Sequence, residues 1–439
     1  MTPPASSSGA MHRRAALASL VGTTIEWFDF FIYGLAAALV FGGLFFPSFD
    51  AHSGRLASFA TLGVAFIARP IGAAVFGHLG DRFGRKTTLI ATLGIMGTAT
   101  GLIGVLPTYH TIGVWAPSLL IVLRMLQGLA VGGEWGGAVL MSTEHAPAAK
   151  RRLYGAAPQM GSPLGLILAT AVMSAVSALP DDQLHAWGWR VPFLAGFVLV
   201  TIGLMIRLGV TEPEQFTVLR DAGTTARLPV AEVFARSWRG LAVGTGLQGS
   251  VNVVFYLISV YFLTYATAAL GMARNTALLI VMIAALIDML ALPAIAALSD
   301  RVGPRAILLF GVVFSAVAAF PFFWLLDGSQ VVGTAFVITV MLLGAHATVY
   351  GVVSSVIAEQ FETRVRYSGT ALSNALGALI FSAPTPLIAE AVVGDGSRWW
   401  PLALITVGSA VVSLIAIAGI ARHIRVPIAD PASALSTTA

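Results

Sequence analysis

The chain predicts an all-α integral membrane protein: twelve transmembrane helices in two pseudo-symmetric six-helix bundles. Three observations carry this. Its 439 residues are 57% apolar and 10% charged, with mean hydropathy +0.86, whereas soluble domains carry about a quarter charged residues. Twelve apolar stretches recur, each long enough to cross a hydrocarbon core of ~30 Å at ~1.5 Å per residue. Finally, the charged turn Gly77-His78-Leu79-Gly80-Asp81-Arg82-Phe83-Gly84-Arg85-Lys86 is echoed 219 positions later by Asp300-Arg301-Val302-Gly303-Pro304-Arg305. That offset is half the chain, so two similar bundles are joined head to tail around a centre.

The first span, Ala15 to Leu44, follows Arg13 and Arg14 as a signal peptide would. It is too long for one, carries Glu26 and Asp29 and has no clear cleavage site, so it stays as helix 1. Residues 1 to 10, rich in Pro, Ser and Gly, predict a disordered tail, as does the segment after Arg425. Ala57 to Leu79 and Thr88 to Leu106 flank the first charged turn, and Pro117 to Met141 follows. Tyr154 to Leu179 contains Pro163, which removes a backbone donor and predicts a kink. Val191 to Leu208 closes the first six. After the longest polar interval, Val210 to Gly240, come Leu241 to Leu270, Ala277 to Leu298, Ala306 to Leu326, Val331 to Ile357, Gly369 to Val393 and Leu402 to Ile420. The domains are therefore a tail (1–14), a first bundle (15–209), a linker (210–240), a second bundle (241–421) and a tail (422–439).

Charge orients this array. Of 25 Lys and Arg, only Arg55, Arg190, Arg274 and Arg398 fall on one side, Arg69 and Arg124 lie inside spans, and the other 19 fall on the opposite side. The excess of cations marks the cytoplasmic face, which predicts a multi-pass protein of the cytoplasmic membrane with both termini inside. Trp115, Trp187, Trp189, Trp399 and Trp400 sit at the predicted outer ends, where amphipathic rings settle. The pI near 9.8 does not indicate nucleic acid, because the cations form no stripe or aromatic-interleaved patch. Absence of cysteine excludes disulfides, thiolate metal sites and cysteine nucleophiles. Glycines at Gly128/Gly132/Gly136, Gly133/Gly137 and Gly161/Gly165 read as close helix packing in lipid.

Charges inside the spans are the informative residues. Glu26 and Asp29, three apart, share a helix face near mid-membrane; Arg69, Arg124, Glu134 and Asp288 are also placed within apolar stretches. Intramembrane charges face a bundle interior or water and serve ions or substrates, so a water-filled cavity touching these groups is expected. Four acids facing two bases leave a net −2, which requires a carboxyl to be protonated part of the time. Arg69 precedes Asp81 by 12 residues and Asp288 precedes Asp300 by 12, so the two are equivalent places carrying opposite charge. Arg124 falls near the depth of Asp29; a pair between them that an organic anion competes for uses the guanidinium fork. Weaker polar candidates are Tyr33, Gln159, the stripe Gln248, Asn252 and Tyr256, then His346 with Tyr350, and Asn374. For His346, helix packing and proton relay both stay open. No catalytic dyad stands out, so an enzyme is not predicted, nor any metal or cofactor beyond a proton gradient.

The blocks Gly22 to Gly34 (GTTIEWFDFFIYG), Arg69 to Lys86 (RPIGAAVFGHLGDRFGRK) and Arg124 to Gly137 (RMLQGLAVGGEWGG) carry a resemblance. With Gly188 to Phe193, Thr211 to Phe216 and Arg366 to Gly369, they resemble the major facilitator superfamily. Within it the chain is similar to the metabolite:proton symporter family of shikimate, α-ketoglutarate, citrate and proline/betaine permeases, over nearly its whole length. The resemblance implies a cavity lined by helices 1, 4, 7 and 10, alternating access by rocking of the bundles, and proton-coupled symport of a small mono- or dicarboxylate by a monomer. Substrate contacts would come from Arg124, Arg69, Tyr33, Gln159, Gln248, Asn252, Tyr256, His346 and Asn374, and proton coupling from Glu26, Asp29, Glu134 or Asp288. Gly77, Asp81, Arg82, Gly84, Arg85 and Lys86 match a cytoplasmic gating motif, with Glu144 its acidic partner. The second copy keeps Asp300 and Arg301 but has Pro304 for the usual arginine and Ala296 for the usual glycine, which implies a degenerate latch. Without a long heptad tail the proline/betaine subtype is disfavoured. A drug:proton antiporter of the same fold is the alternative, and a membrane sensor the remote one.

Overall fold

The structure, a computed structural model, describes residues 5–49, 51–147, 150–212, 217–218, 228–328, 330–393 and 398–420. The tail 422–439, residues 1–4, and linker positions 213–216 and 219–227 lie outside the described residues, and with them most of the Thr211 to Phe216 block. Twelve helices are long and apolar enough to cross a membrane: α1 (His12–Ala36), α2 (Ala60–Phe83), α3 (Arg85–Val105), α4 (Trp115–Glu144), α5 (Arg151–Val176) and α6 (Asp181–Leu208) in the first half. The second half holds α7 (Trp238–Tyr261), α8 (Asn275–Val302), α9 (Pro304–Leu326), α10 (Val331–Glu359), α11 (Thr363–Ala389) and α12 (Trp400–Gly419). Among the described residues there is no strand.

Helix 1 begins earlier than expected. It is helical from Ala5, not disordered to residue 10, because adding turns to an existing helix costs far less than nucleating one. Past Ala36 it continues through a π-helical turn, Ala37–Phe41, to Phe45. Similar wide turns occupy Leu257–Tyr261 in α7, Leu342–Ala347 in α10 and Ala378–Ser382 in α11. Such turns break the regular ladder and frequent functional sites. α5 runs as one helix through Pro158 and Pro163.

Backbones touch where the sequence places small residues. A Cβ added to Gly132 of α4 would sit 2.6 Å from the Ala73 nitrogen of α2, and one on Gly161 of α5 would sit 2.7 Å from the Thr24 nitrogen of α1. In lipid, where apolar burial drives little, this contact is the main cohesion. Across the seam between the halves, α2 packs on α11, and α5 on α8 and α10.

The end of the molecule opposite the Asp81 turn is an aromatic core. Phe41, Phe45 and Phe193 surround Trp189 with ring centroids 5.7, 5.8 and 6.1 Å from it. Trp189 is therefore fully buried, which corrects its assignment to the interfacial belt; Trp115, Trp187 and Trp400 are exposed as expected. Its neighbour Arg190 donates to the carbonyls of Gly104 and Leu106 at 3.1 and 2.8 Å, closing the end of α3 with a cation, which the helix dipole favours.

Candidate functional site

The first-half charges resolve into two closed pairs, Asp29 with Arg124 and Glu134 with Arg207, and two groups without an ion pair among the described residues, Glu26 and Arg69. Asp29 of α1 accepts from Thr100 of α3 at 2.6 Å, from Gln127 of α4 at 2.8 Å, and from Arg124 of α4 at 3.4 Å. Arg124 also donates to Gln127 at 3.1 Å and lies over the Tyr33 ring at 4.1 Å, while the Tyr33 hydroxyl is bonded to Thr61. The pair between helices 1 and 4 is present, embedded in a network that sequence reading missed at Thr100 and Gln127. Their polarity was visible, but a neutral side chain in an apolar run gives no sign of its partner.

Glu26 and Arg69 are different. Arg69 of α2 is 5% exposed and Glu26 of α1 is 3% exposed. Neither makes a hydrogen bond or ion pair among the described residues, and Arg69 Nε and Glu26 Oε2 are buried without partners. Among the described residues the Arg69 guanidinium lies against ring faces, Phe66 at 4.7 Å and Phe30 at 5.4 Å, and acts on Glu26 through space. Phe66 and Phe30 meet Tyr256 of α7 at 6.2 and 6.4 Å, and Trp27 meets Phe255 at 6.0 Å. These rings close over the centre. Among the described residues the expected water-filled cavity around Glu26, Asp29, Arg69 and Arg124 is therefore not seen: all four are buried, with aromatic rings packed on both arginines.

Glu134 needs correction. It is held by Arg207 of α6 in a two-pronged ion pair, one contact at 2.9 Å, and accepts from Thr92 at 2.9 Å. Arg207 also donates to the Leu89 carbonyl at 2.8 Å. Counted from the sequence among the cations of the cytoplasmic side, at the very end of the sixth span, Arg207 is instead 4% exposed, since its long stem carries the charge back into the bundle. Gly22 leaves the room: a Cβ there would sit 2.9 Å from Glu134 Oε1. A carboxylate with a dedicated guanidinium is a poor proton carrier, and the core charge is one unit less negative than expected.

In the second half, His346 Nδ1 lies 3.0 and 3.1 Å from the Asp288 carboxylate, its ring stacked between Phe255 at 4.8 Å and Tyr350 at 4.7 Å. Gln248 donates to Asn374 at 2.8 Å, with its own Oε1 unpartnered; Asn252 is half-buried one turn on. Gln159 is fully engaged, accepting from Trp135 and donating to the Tyr350 carbonyl, both at 2.9 Å. It therefore joins the halves and keeps one N–H of its amide beyond these bonds.

The charged turn forms a clasp. Asp81 accepts the backbone N–H of Tyr367 at 3.1 Å and of Ser368 at 2.8 Å, and Gly77 admits Ser368, whose Cα would be 2.8 Å from a Cβ there. Arg85 is paired with Glu144 and donates to the Thr363 carbonyl at 3.3 Å, and Arg366 reaches Glu144 at 3.4 Å. Glu212, at the start of the linker, accepts the backbone N–H of Arg85 at 2.6 Å and of Lys86 at 3.1 Å. Lys86 donates to the Leu208 carbonyl at 2.9 Å. Arg82 and Arg301 are exposed. Gly84 and Gly303 take φ of +122° and +91°, the region only glycine enters freely. The second copy is less degenerate than expected: Asp300 reaches Arg152 at 3.3 Å and the Leu153 N–H at 3.4 Å, and Glu359 meets Arg152 at 3.3 Å. Arg152 supplies from the other half the cation that Pro304 lacks.

Two six-helix halves, a buried charged centre and a repeated clasp at one end define a polytopic membrane transport protein, not an enzyme. The chain belongs to the Major Facilitator Superfamily, whose family model matches residues 20–383. It is 38% identical over 405 residues to the shikimate transporter of Escherichia coli (strain K12), covering 91% of this chain and 92% of that one. It is 40% identical over 383 residues to an inner membrane metabolite transport protein of the same organism, covering 86% and 87%. The proton:xylose symporter XylE, bound to 6-bromo-6-deoxy-D-glucose, superposes with TM-score 0.71 at 16% identity over 92% of this chain and 95% of that one, a likeness of fold alone.

Proposed function

We propose that this transporter is a proton-coupled symporter of a small organic anion, a mono- or dicarboxylate. The observation that carries this is Arg69: a guanidinium buried at the centre, backed by two rings and lacking any hydrogen-bond partner among the described residues. A desolvated cation in that condition is costly, and a carboxylate offering two oxygens in the guanidinium plane relieves the cost. Glu26, also buried and without a hydrogen-bond donor among the described residues, is the acid that takes the proton. Binding of anion at Arg69 and proton at Glu26 then load together, and neither charge crosses alone. Arg124 is a second contact, its long bond to Asp29 open to competition.

The excess of Lys and Arg on the clasp side supports a cytoplasmic clasp with both termini on that face, in the cytoplasmic membrane. The bundles 15–209 and 241–421 would rock as bodies joined by 210–240, in a monomer needing no cofactor but the proton gradient. The unpaired arginine disfavours export of cationic drugs, and a sensor would bind without counterflow. Uptake into proteoliposomes under an imposed inward-directed proton gradient tests the proposal, with shikimate, named for the relative, as first probe in a panel of carboxylates. Accumulation abolished by an uncoupler is the expected result; uptake indifferent to gradient and uncoupler sinks the coupling.

A further inference from the structure

The His346 ring joins an acid of α8 to the wall of the centre, and the charge around it does not balance. A carboxylate only accepts, so with neutral imidazole Nδ1 carries the hydrogen toward Asp288 and Nε2 keeps a lone pair. In that form the pair bears −1. Phe255 of α7 and Tyr350 of α10 itself lie against the ring; Tyr350 in turn meets Gln159 and Ser162 of α5, with Tyr256 and Glu26 in electrostatic reach of it. Arg69 and Arg124 act on Tyr256 from the other half, but among the described residues neither makes an ion pair with Asp288. Arg151 and Arg152 of α5, Arg239 of α7, Arg305 of α9, and Arg364 and Arg366 of α11 sit at the clasp ends of their helices. Across the middle of the membrane, four acids (Glu26, Asp29, Glu134, Asp288) face three arginines (Arg69, Arg124, Arg207), and Asp29 and Glu134 already have theirs. A bound monoanion takes Arg69. Glu26 and Asp288 are then both unbalanced, and each needs a proton if the loaded centre is to stay neutral.

We propose that Asp288 and His346 form a second proton-binding site, one per half with Glu26, so that the loaded carrier holds two protons. The proton adds to His346 Nε2 from water; Nδ1–H keeps its bond to Asp288, and the imidazolium and carboxylate then sum to zero. The ring sits in the π-helical turn Leu342–Ala347, where the widened backbone lets it lie flat between Phe255 and Tyr350 and still reach α8. The role in coupling rests on the symport reading; the binding of the proton does not.

The test uses the proton itself as ligand. Full-length protein labelled with 15N-histidine in lipid nanodiscs is followed by NMR from about pH 5 to pH 8. The chain has eight histidines, and the His346 signal is assigned by its loss in His346→Gln. Should that variant not fold, Phe255→Leu identifies the signal by removing one stacked ring. The expected result is conversion from the Nδ1-protonated neutral tautomer to imidazolium within this range. In Asp288→Asn the transition should fall by about one pH unit or more, a tenfold loss of proton affinity. A single tautomer at every pH, or an unchanged transition in Asp288→Asn, overturns the proposal. Glu26→Gln should retain the titration even if uptake assays reject Glu26 as the coupled acid; its disappearance there also overturns an independent site.

Discussion

Asp81 of α2 caps a helix that belongs to the other half of the molecule, accepting the Ser368 N–H at 2.8 Å in the first turn of Arg366–Gly377. Asp300 repeats the relationship in reverse, at 3.4 Å from the Leu153 nitrogen in the first turn of α5. Each half thus uses its acid to hold down the N-terminus of the other, where the helix dipole attracts negative charge.

Asp81→Asn keeps an acceptor but removes the charge, at a cost of about 1–2 kcal/mol to the closed clasp, roughly tenfold in population. Because the chain lacks cysteine, Ser355→Cys, in the hollow beside Glu144, Glu359 and Arg366, reports opening. Its labelling by a water-soluble maleimide should quicken about tenfold in the double variant; an unchanged rate would remove Asp81 from the clasp.

Arg69 and Arg124 should separate cleanly on substitution. Arg69→Met removes a buried cation that has no hydrogen bond or ion pair among the described residues, so thermal stability in detergent should hold or rise while protection by carboxylates vanishes. Lysine at position 69 should not restore it, lacking the planar fork. Arg124→Met leaves Asp29 short of its counter-charge and should lower the unfolding temperature. Equal stability losses at both positions would contradict the division into an open and a closed pair.

The two acids of α1 should likewise behave differently. Glu26→Gln is expected to abolish gradient-driven accumulation but spare substrate exchange, with stability unchanged. Asp29→Asn, which disturbs bonds to Thr100, Gln127 and Arg124, should instead destabilise. If Glu26→Gln accumulates substrate like the parent, the coupled proton is not there.

Breaking the Glu134–Arg207 pair from one side should cost about 3–5 kcal/mol, seen as a marked fall in unfolding temperature for Glu134→Leu alone. Glu134→Leu combined with Arg207→Leu should recover most of that loss, because no lone charge remains. A double variant no more stable than the single one would mean the site needs polarity for other reasons.

The helices, their number and the repeated turn were legible because each rests on local chemistry: apolar length, and glycine with charge at Gly84 and Gly303. The charged centre was legible too, since an acid amid hydrocarbon is anomalous wherever it occurs. Partnership was not. Arg207 counted as a cytoplasmic-side cation at the end of its span because sequence shows where a side chain starts and not where a long stem ends. Trp189 read as an interfacial ring until Phe41, Phe45 and Phe193, from two helices, were seen to enclose it.

By itself the amino-acid order determined that this protein crosses a membrane twelve times and keeps ionisable groups inside, for hydropathy and cost of burial act residue by residue. Only the tertiary structure decided that Asp29 and Glu134 are held in ion pairs, that Glu26 and Arg69 make none among the described residues, and that Asp288 answers to His346. Charge balance in a low-dielectric interior depends on distances of a few ångströms between helices far apart in the chain, and no linear pattern contains them.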